Sequence, residues 1–169
     1  MDQRTAPDPL EHRRVVGRFA TGVTVVTTVL PGSGLKHAMT CNSFTSVSLD
    51  PVLVLFCADR TARFHDAVLE SGTWAVSVLG RCHQHASRQF ALRGRDLDTQ
   101  FDGIEHRPGR LTGAPVLLGA LAALECRTVS TTDAGDHTVV VGEVLGLSEP
   151  DPDAEPLLYF GGRYRTLSD

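Results

Sequence analysis

No stretch of this chain approaches the roughly 20 consecutive apolar residues that a membrane-spanning helix needs. The segment from Met1 to Arg14 is polar and charged, without the apolar h-region of a signal peptide. No long run of one charge sign occurs. Lys and Arg total 16 against 20 Asp and Glu, for a formal net charge of -4. A nucleic-acid footprint needs a basic stripe, so that class of partner is not expected. Cysteine is sparse and scattered: Cys41, Cys57, Cys82 and Cys126, with no Cys-x-x-Cys pair. These read as reduced thiols of a cytoplasmic protein. Also missing are the Gly-x-Gly-x-x-Gly turn of a Rossmann site, a Walker loop, and the Gly-x-Ser-x-Gly elbow of a hydrolase. His83 and His85 follow Cys82, but a zinc site draws on two paired ligand clusters and no second one is evident. No metal is expected; that triplet reads as the polar first turn of a helix.

What is present suits one folded unit. The chain has 169 residues, 41% of them hydrophobic, enough for a core without disulfides or metals. Residues 1–8 read as a flexible tail and 9–169 as one domain. Asp8-Pro9 fits a helix start, with Asp as N-cap and Pro at the first helical position. Leu10, Val15, Val16 and Phe19 form the expected buried stripe of that helix, and Gly22 its stop. Residues 23–29 are all β-branched, which favours a strand because such side chains are stiff at χ1. A turn at 31–34 and a return over 35–39 complete a hairpin. Further strands are expected at 52–57, 74–79, 121–132, 138–147, 157–160 and 163–167. Helices are expected at 62–71 and 83–93, the second burying Phe90 and Leu92. The stretch 94–115 reads as irregular and 149–156 as a loop. Many short strands with a few short peripheral helices argue for a mainly β fold, a closed or nearly closed barrel.

The segment from Thr40 to Ser48 is dense in hydroxyl and amide side chains: Thr40, Asn42, Ser43, Thr45, Ser46 and Ser48. Such residues hold tight local turns and leave N–H groups free to face a ligand. Read alone, the segment fits an ordinary polar loop as well as a binding loop.

Three segments decide between those readings. They are Phe19 to Thr28 (FATGVTVVTT), Thr40 to Pro51 (TCNSFTSVSLDP), and Gly135 to Val144 (GDHTVVVGEV) followed by Pro156 to Phe160 (PLLYF). Together they resemble the flavin reductase-like family, over about residues 10–167. The resemblance implies an FMN-binding split barrel. It implies an NAD(P)H:flavin oxidoreductase that passes a hydride to FMN or FAD and supplies the reduced flavin to a partner monooxygenase. It also implies a homodimer. Alternative readings on the same barrel are a reductase that keeps its flavin and uses another acceptor, or a non-enzymatic flavin- or haem-binding module. The choices between FMN and FAD, and between NADH and NADPH, stay open.

Carried onto this sequence, the resemblance places Thr40, Asn42 and Ser43 along the isoalloxazine and ribityl chain. Val47 and Ser48 contribute backbone contacts. Cys41 stands where many relatives have a small residue, and a small buried thiol is a fair substitute. Thr61, at a helix start, matches a family hydroxyl that meets the flavin phosphate. Arg63 replaces a second hydroxyl and offers a charged donor instead. Arg88 is a weaker phosphate candidate. His137 borders the nicotinamide and positions it without proton chemistry. Tyr164 offers an aromatic face for the dinucleotide, and Arg165 a partner for its pyrophosphate.

Overall fold

The structure is a computed structural model that describes residues 6–148 and 153–167. Most of the expected tail, and residues 149–152 of the expected 149–156 loop, lie outside the described residues. The first helix, α1 (Pro9–Val16), begins as its sequence dictates: Asp8 accepts the Glu11 N–H at 3.1 Å and Pro9 takes the first turn. It stops earlier than expected, with Gly17 and not Gly22 at the C-cap. Its apolar residues are not buried in this chain: Leu10, Val15, Val16 and Phe19 are 71%, 59%, 52% and 75% exposed. The helix lies on the outside, tied on by the Gly161 N–H to Gly17 carbonyl bond of 2.8 Å.

The body of the protein is a seven-stranded sheet. Its strands are β2 (Thr24–Val29), β3 (Lys36–Cys41), β4 (Thr45–Leu49), β5 (Val52–Asp59), β6 (Thr73–Val78), β9 (Ala122–Ala134) and β10 (His137–Ser148). Their order is β3-β2-β6-β9-β10-β5-β4, with every pairing antiparallel. Neighbouring strands stand about 4.8 Å apart, so β3 and β5 would be about 24 Å apart in a flat sheet. Yet the Cys57 N–H of β5 donates to Ser43 Oγ, two residues past β3, at 2.9 Å. The sheet is therefore rolled into a barrel. One cluster draws Val26, Cys41, Val54, Phe56, Trp74, Cys126 and Val140 from six strands into its interior.

Trp74 is the largest wholly buried side chain and meets Phe56 edge-on, ring centres 4.9 Å apart. Its indole N–H donates to Thr128 Oγ1 at 3.1 Å. Gly142 lies against the indole: a Cβ there would sit 2.3 Å from Trp74 Cζ2, so no larger residue fits.

Smaller elements close the ends. Strands β1 (Thr21–Gly22), β11 (Leu158–Phe160) and β12 (Arg163–Arg165) make a three-stranded sheet. Helix α2 (Arg63–Ser71) ends at Gly72 in the left-handed region, as its glycine predicts. Helix α3 (Gln84–Ala91) is shorter than the expected 83–93, and a 3-10 turn (Arg81–His83) precedes it. Phe90 is buried against Phe101, but Leu92 lies past the helix end and is 63% exposed. The stretch 94–115 is not wholly irregular: β7 (His106–Pro108) pairs with β8 (Pro115–Leu117). Among the described residues no helix is long and apolar enough to cross a membrane.

The turn that joins β7 to β8 wraps around one carboxylate. Glu125, on β9, accepts the N–H groups of Arg110, Leu111 and Thr112 and the Thr112 hydroxyl, at 2.8–2.9 Å. Burial pushes this carboxyl up, but the donors outweigh it and hold the group below its ordinary range.

Candidate functional site

A cavity of about 400 Å³ opens between the free edge of β3, the β5–α2 connection and the segment that follows α3. That volume is in the range of small-ligand sites. Of the residues expected at a site, Thr40, Cys41, Asn42, Ser43, Thr61, Arg63 and His137 line it together. They come from β3, its exit, the β5–α2 connection and the start of β10, brought together by the rolling of the sheet.

The β3 exit is built by local hydrogen bonds. Thr40 Oγ1 donates to the Ser87 carbonyl at 2.6 Å, fixing α3 to the cavity wall. Ser43 Oγ lies 2.9 Å from Cys41 Sγ and accepts the Cys57 N–H. Cys41 is buried, and burial pushes its thiol up, so it stays protonated and packs as a small apolar group. Asn42 is exposed, with a single weak bond from Nδ2 to Thr21 Oγ1 at 3.3 Å. Asn42 and Ser43 form a ridge shared with a second hollow of about 480 Å³, which includes Phe19, Phe44 and Val78.

Opposite them, Asp59 ends β5. Its carboxylate accepts the Thr61 N–H at 2.8 Å and the Thr61 hydroxyl at 2.7 Å. Arg93 donates to the other oxygen of Asp59, and also to Thr61 Oγ1 at 3.2 Å. The Thr61 hydroxyl and N–H, then the Arg93 and His137 charges, hold the Asp59 carboxyl below the usual range. Arg63 donates to the Arg95 carbonyl. Arg95 spends its guanidinium on the carbonyls of Ala38, Phe90 and Leu92 and on Gln100 Oε1. It has no carboxylate partner among the described residues. Arg63, Arg93 and Arg95 thus face a single carboxylate, Asp59, around the cavity, which favours an anionic ligand.

His137 stands directly opposite Asp59 in the β10–β5 register. Its Nδ1–H donates to Asp136 at 2.7 Å, and Nε2 has no partner among the described residues. That bond also holds the exposed Asp136 carboxyl below its ordinary value. His37, on the wall, is buried, and its Nε2 has no partner among the described residues. Burial, then the charges of Arg63 and Arg95, lower its pKa, so the ring is neutral near pH 7.

Other expected residues lie elsewhere. Val47 and Ser48 are on β4, outside the cavity lining; the strand carries a register shift between Ser46 and Ser48. Arg88 borders a different hollow beyond the 92–95 segment, and its guanidinium sits 5.7 Å from the Tyr164 ring centre. Tyr164 bonds Ser87 Oγ at 2.8 Å, and Arg165 is exposed at the end of β12. Tyr164 and Arg165 therefore stand behind α3 and not in the cavity wall. Near Cys82, His83 spends Nε2 on the Leu118 carbonyl at 2.9 Å. No group of three or more His, Cys, Asp or Glu is placed to hold a metal among the described residues.

Sequence reasoning missed His37, Cys57, Asp59, Arg93 and Arg95. The Arg93-Gly-Arg95 triplet just past a helix was a visible signal, since two arginines bracket a glycine there. His37 carried none.

The donor set suits a phosphorylated, flat, partly apolar ligand. Hydroxyl, amide and guanidinium groups line the cavity together with Phe64, Phe90, Leu92 and Leu97. A flavin fits that description, and the orphaned His37 Nε2 marks hydrogen-bonding capacity left unspent.

Comparison with known proteins agrees. Residues 16–168 match the family described as flavin reductase like domain. An NADH-dependent FAD reductase of Streptomyces globisporus is 43% identical over 162 residues, 95% of this chain and 87% of the relative. The reductase subunit HsaB of a flavin-dependent monooxygenase of Mycobacterium tuberculosis is 41% identical, covering 93% of this chain and 81% of its own length. The crystal structure of BorF, flavin reductase component of a bacterial two-component tryptophan halogenase, superposes with a TM-score of 0.88. It is 45% identical, covering 96% of this chain and 99% of that one.

Proposed function

The chain belongs to the flavin reductase like domain family, with its split-barrel fold, and from that premise we propose an NAD(P)H:flavin oxidoreductase. It takes a hydride from NADH or NADPH, passes it to FMN or FAD, and supplies the reduced flavin to a separate monooxygenase. The observation that carries this reading is the meeting of Thr40, Asn42, Ser43, Thr61, Arg63 and His137 around one cationic cavity.

When bound, the flavin supplies the electron-accepting chemistry, so the protein needs neither a triad nor a carboxylate pair. The chain's residues bind and align. The β3 exit offers Asn42 Nδ2 and the free N–H groups of a strand edge to the polar rim of the ring system. Thr61, Arg63 and the first turn of α2 meet the phosphate. His137 presents Nε2 at the cavity mouth and orients the nicotinamide carboxamide at near-attack distance. Thr40 acts through Ser87, holding α3 against the wall. Cys41 fills the space beneath Ser43. Val47, Ser48, Arg88, Tyr164 and Arg165 enter only through a second molecule or a moved segment. Tyr164 and Arg165 suit the distal, adenosine end of the dinucleotide.

Residues 9–169 act as one domain. A homodimer, in the cytoplasm, completes the proposal. Its support is the apolar surface at one end of the β4–β5–β10 ladder, where Val47, Leu49, Val52, Leu145 and Leu147 are exposed. A monomer in sedimentation at micromolar concentration would refute the dimer.

The deciding experiment is NADH and NADPH oxidation with and without added FMN or FAD. Turnover that depends on added flavin is the expected outcome. Turnover without added flavin, on tightly copurified cofactor, or no oxidation at all, would sink it.

A further inference from the structure

Part of the donor set beside the site just assigned to the flavin phosphate is already taken by the protein's own anion. Beside Arg63 and the first turn of α2, a phosphate there would take the Thr61 N–H, the Thr61 hydroxyl and the neighbouring Arg93 guanidinium. These last three are the contested donors. All three point at Asp59 in the ligand-free chain. Asp59 lines the cavity, as do Thr61 and Arg93. Helix α2 starts beside it with Ala62 as an N-cap that makes no side-chain bond, so its first turn lacks the acceptor an N-cap supplies.

We propose that Asp59 is an internal competitor for the flavin phosphate, which keeps flavin exchangeable and so fits the protein to deliver it. This rests on the flavin reading above and goes beyond it, by naming the residue that sets retention. An entering phosphate either displaces the Asp59 carboxylate from Thr61 and Arg93 or shares those donors with it. In both cases it gains less than the donor set offers to a free anion, and it meets a like charge at close range. Arg93 is the movable half of the pair. Its side chain is 76% exposed, against 24% for Asp59. It sits on the segment past α3, so transferring it from carboxylate to phosphate needs a side-chain rotation and no change of fold. Asp59 itself is fixed by the β5–β10 ladder, where it pairs with His137. The ladder holds the Asp59 main chain, so its carboxylate stays within reach of these donors when a ligand arrives.

Riboflavin, which lacks the phosphate, is the control. Dissociation constants for riboflavin and FMN are measured by quenching of flavin fluorescence, with no NAD(P)H present, for the wild type, Asp59→Asn and Arg93→Gln. Asp59→Asn is expected to tighten FMN about tenfold or more, with riboflavin changed less than about twofold. Arg93→Gln is expected to weaken FMN about tenfold, again sparing riboflavin. Thermal unfolding of each variant confirms that it is folded, and Asp59→Ser serves if Asp59→Asn is not. Equal effects on both flavins, or weaker FMN binding in folded Asp59→Asn and Asp59→Ser, would overturn the competitor role while leaving the flavin site intact. If the wild type binds neither flavin, the flavin reading itself falls, and this proposal with it.

Discussion

Two carboxylates in this protein sit in similar nests of donors and do different things. Glu125 is ringed by three backbone N–H groups and a threonine hydroxyl, all from one turn that folds over it. Asp59 accepts one backbone N–H and a threonine hydroxyl from its own turn, plus a guanidinium from a separate segment. In both, the donors hold the carboxyl below its ordinary range. Around Glu125 three of the four donors are main-chain groups that have no other acceptor among the described residues, so the carboxylate is a keystone of the β7–β8 turn. Around Asp59 two of the donors are side chains, one of them largely exposed, and the nest opens on the cavity. Donor type and access, and not the carboxylate, separate a structural anion site from an exchangeable one.

The largest effect expected from this contrast is on stability. Glu125→Ala leaves three N–H groups of a tight turn without an acceptor and should cost about 2–4 kcal/mol, read from the shift of the urea midpoint at constant slope. Asp59→Asn keeps an acceptor for Thr61 and should cost less than about 1 kcal/mol. Equal losses would erase the distinction between the two nests.

Next in size is the cavity wall facing Asp59. Replacing Asn42 and Ser43 together by Ala should weaken flavin binding by about 1–3 kcal/mol, from lost hydrogen bonds to a buried ligand. The structure sharpens this, because Ser43 is spent on Cys57 N–H and Cys41 whereas Asn42 is nearly free. Asn42→Ala alone should carry most of the flavin loss, and Ser43→Ala most of any stability loss. An unchanged affinity in the double variant moves the flavin elsewhere.

His137, opposite Asp59, should show a smaller and differently shaped effect. His137→Ala is expected to raise the apparent KM for NAD(P)H about tenfold, with a lesser change in kcat, as loss of uniform binding does. Flavin affinity should hold. A collapse of kcat at constant KM, with a new pH dependence, would make the histidine an acid or base instead.

The contrast between the two nests also marks what could be read in advance. The β-branched run 23–29, the Asp8-Pro9 cap and the Gly72 stop act through local sterics, and each appears where its sequence placed it. The Thr40–Ser43 and Thr61–Arg63 groups were legible through their family motif, and the rolled sheet joins them. Strand β4 was read as loop, although Val47 and Leu49 alternate with Ser46 and Ser48 as a strand should. Strands β7 and β8 escaped because they are three residues long, with Pro108 and Pro115 at their paired ends. The apolar face of α1 was expected inside and lies outside, because an amphipathic pattern states that a face will be covered and not by what. Glu125, Asp59 with Arg93, and His37 were invisible for a common reason. Their partners lie 13 to 34 residues away or, for His37, are absent among the described residues, and no local pattern encodes that.

The smallest expected effect is the dependence of stability on pH, and it separates the two regions by window. For Glu125 and Asp59 the folded value lies below the unfolded one. Each therefore contributes stability that is present above its ordinary carboxylate value and is lost as pH falls through the folded value. His37 is a base, but its folded value is also lowered, by burial first and by Arg63 and Arg95 after it. Between the folded and unfolded values the unfolded chain binds more protons, so stability rises with pH there. The His37 contribution is thus complete above about 6.5, the ordinary histidine value, and drains as pH falls below it. Only the cavity region should lose stability in that upper window, and the Glu125 turn should hold until carboxylates titrate. Urea midpoints of the wild type and His37→Gln, followed downward from pH 8, test this. The wild type should begin to weaken below about 6.5, and His37→Gln should be flatter across the same interval. Parallel curves would mean that His37 finds a proton acceptor or donor in solution, and that the cavity wall is looser than its burial implies.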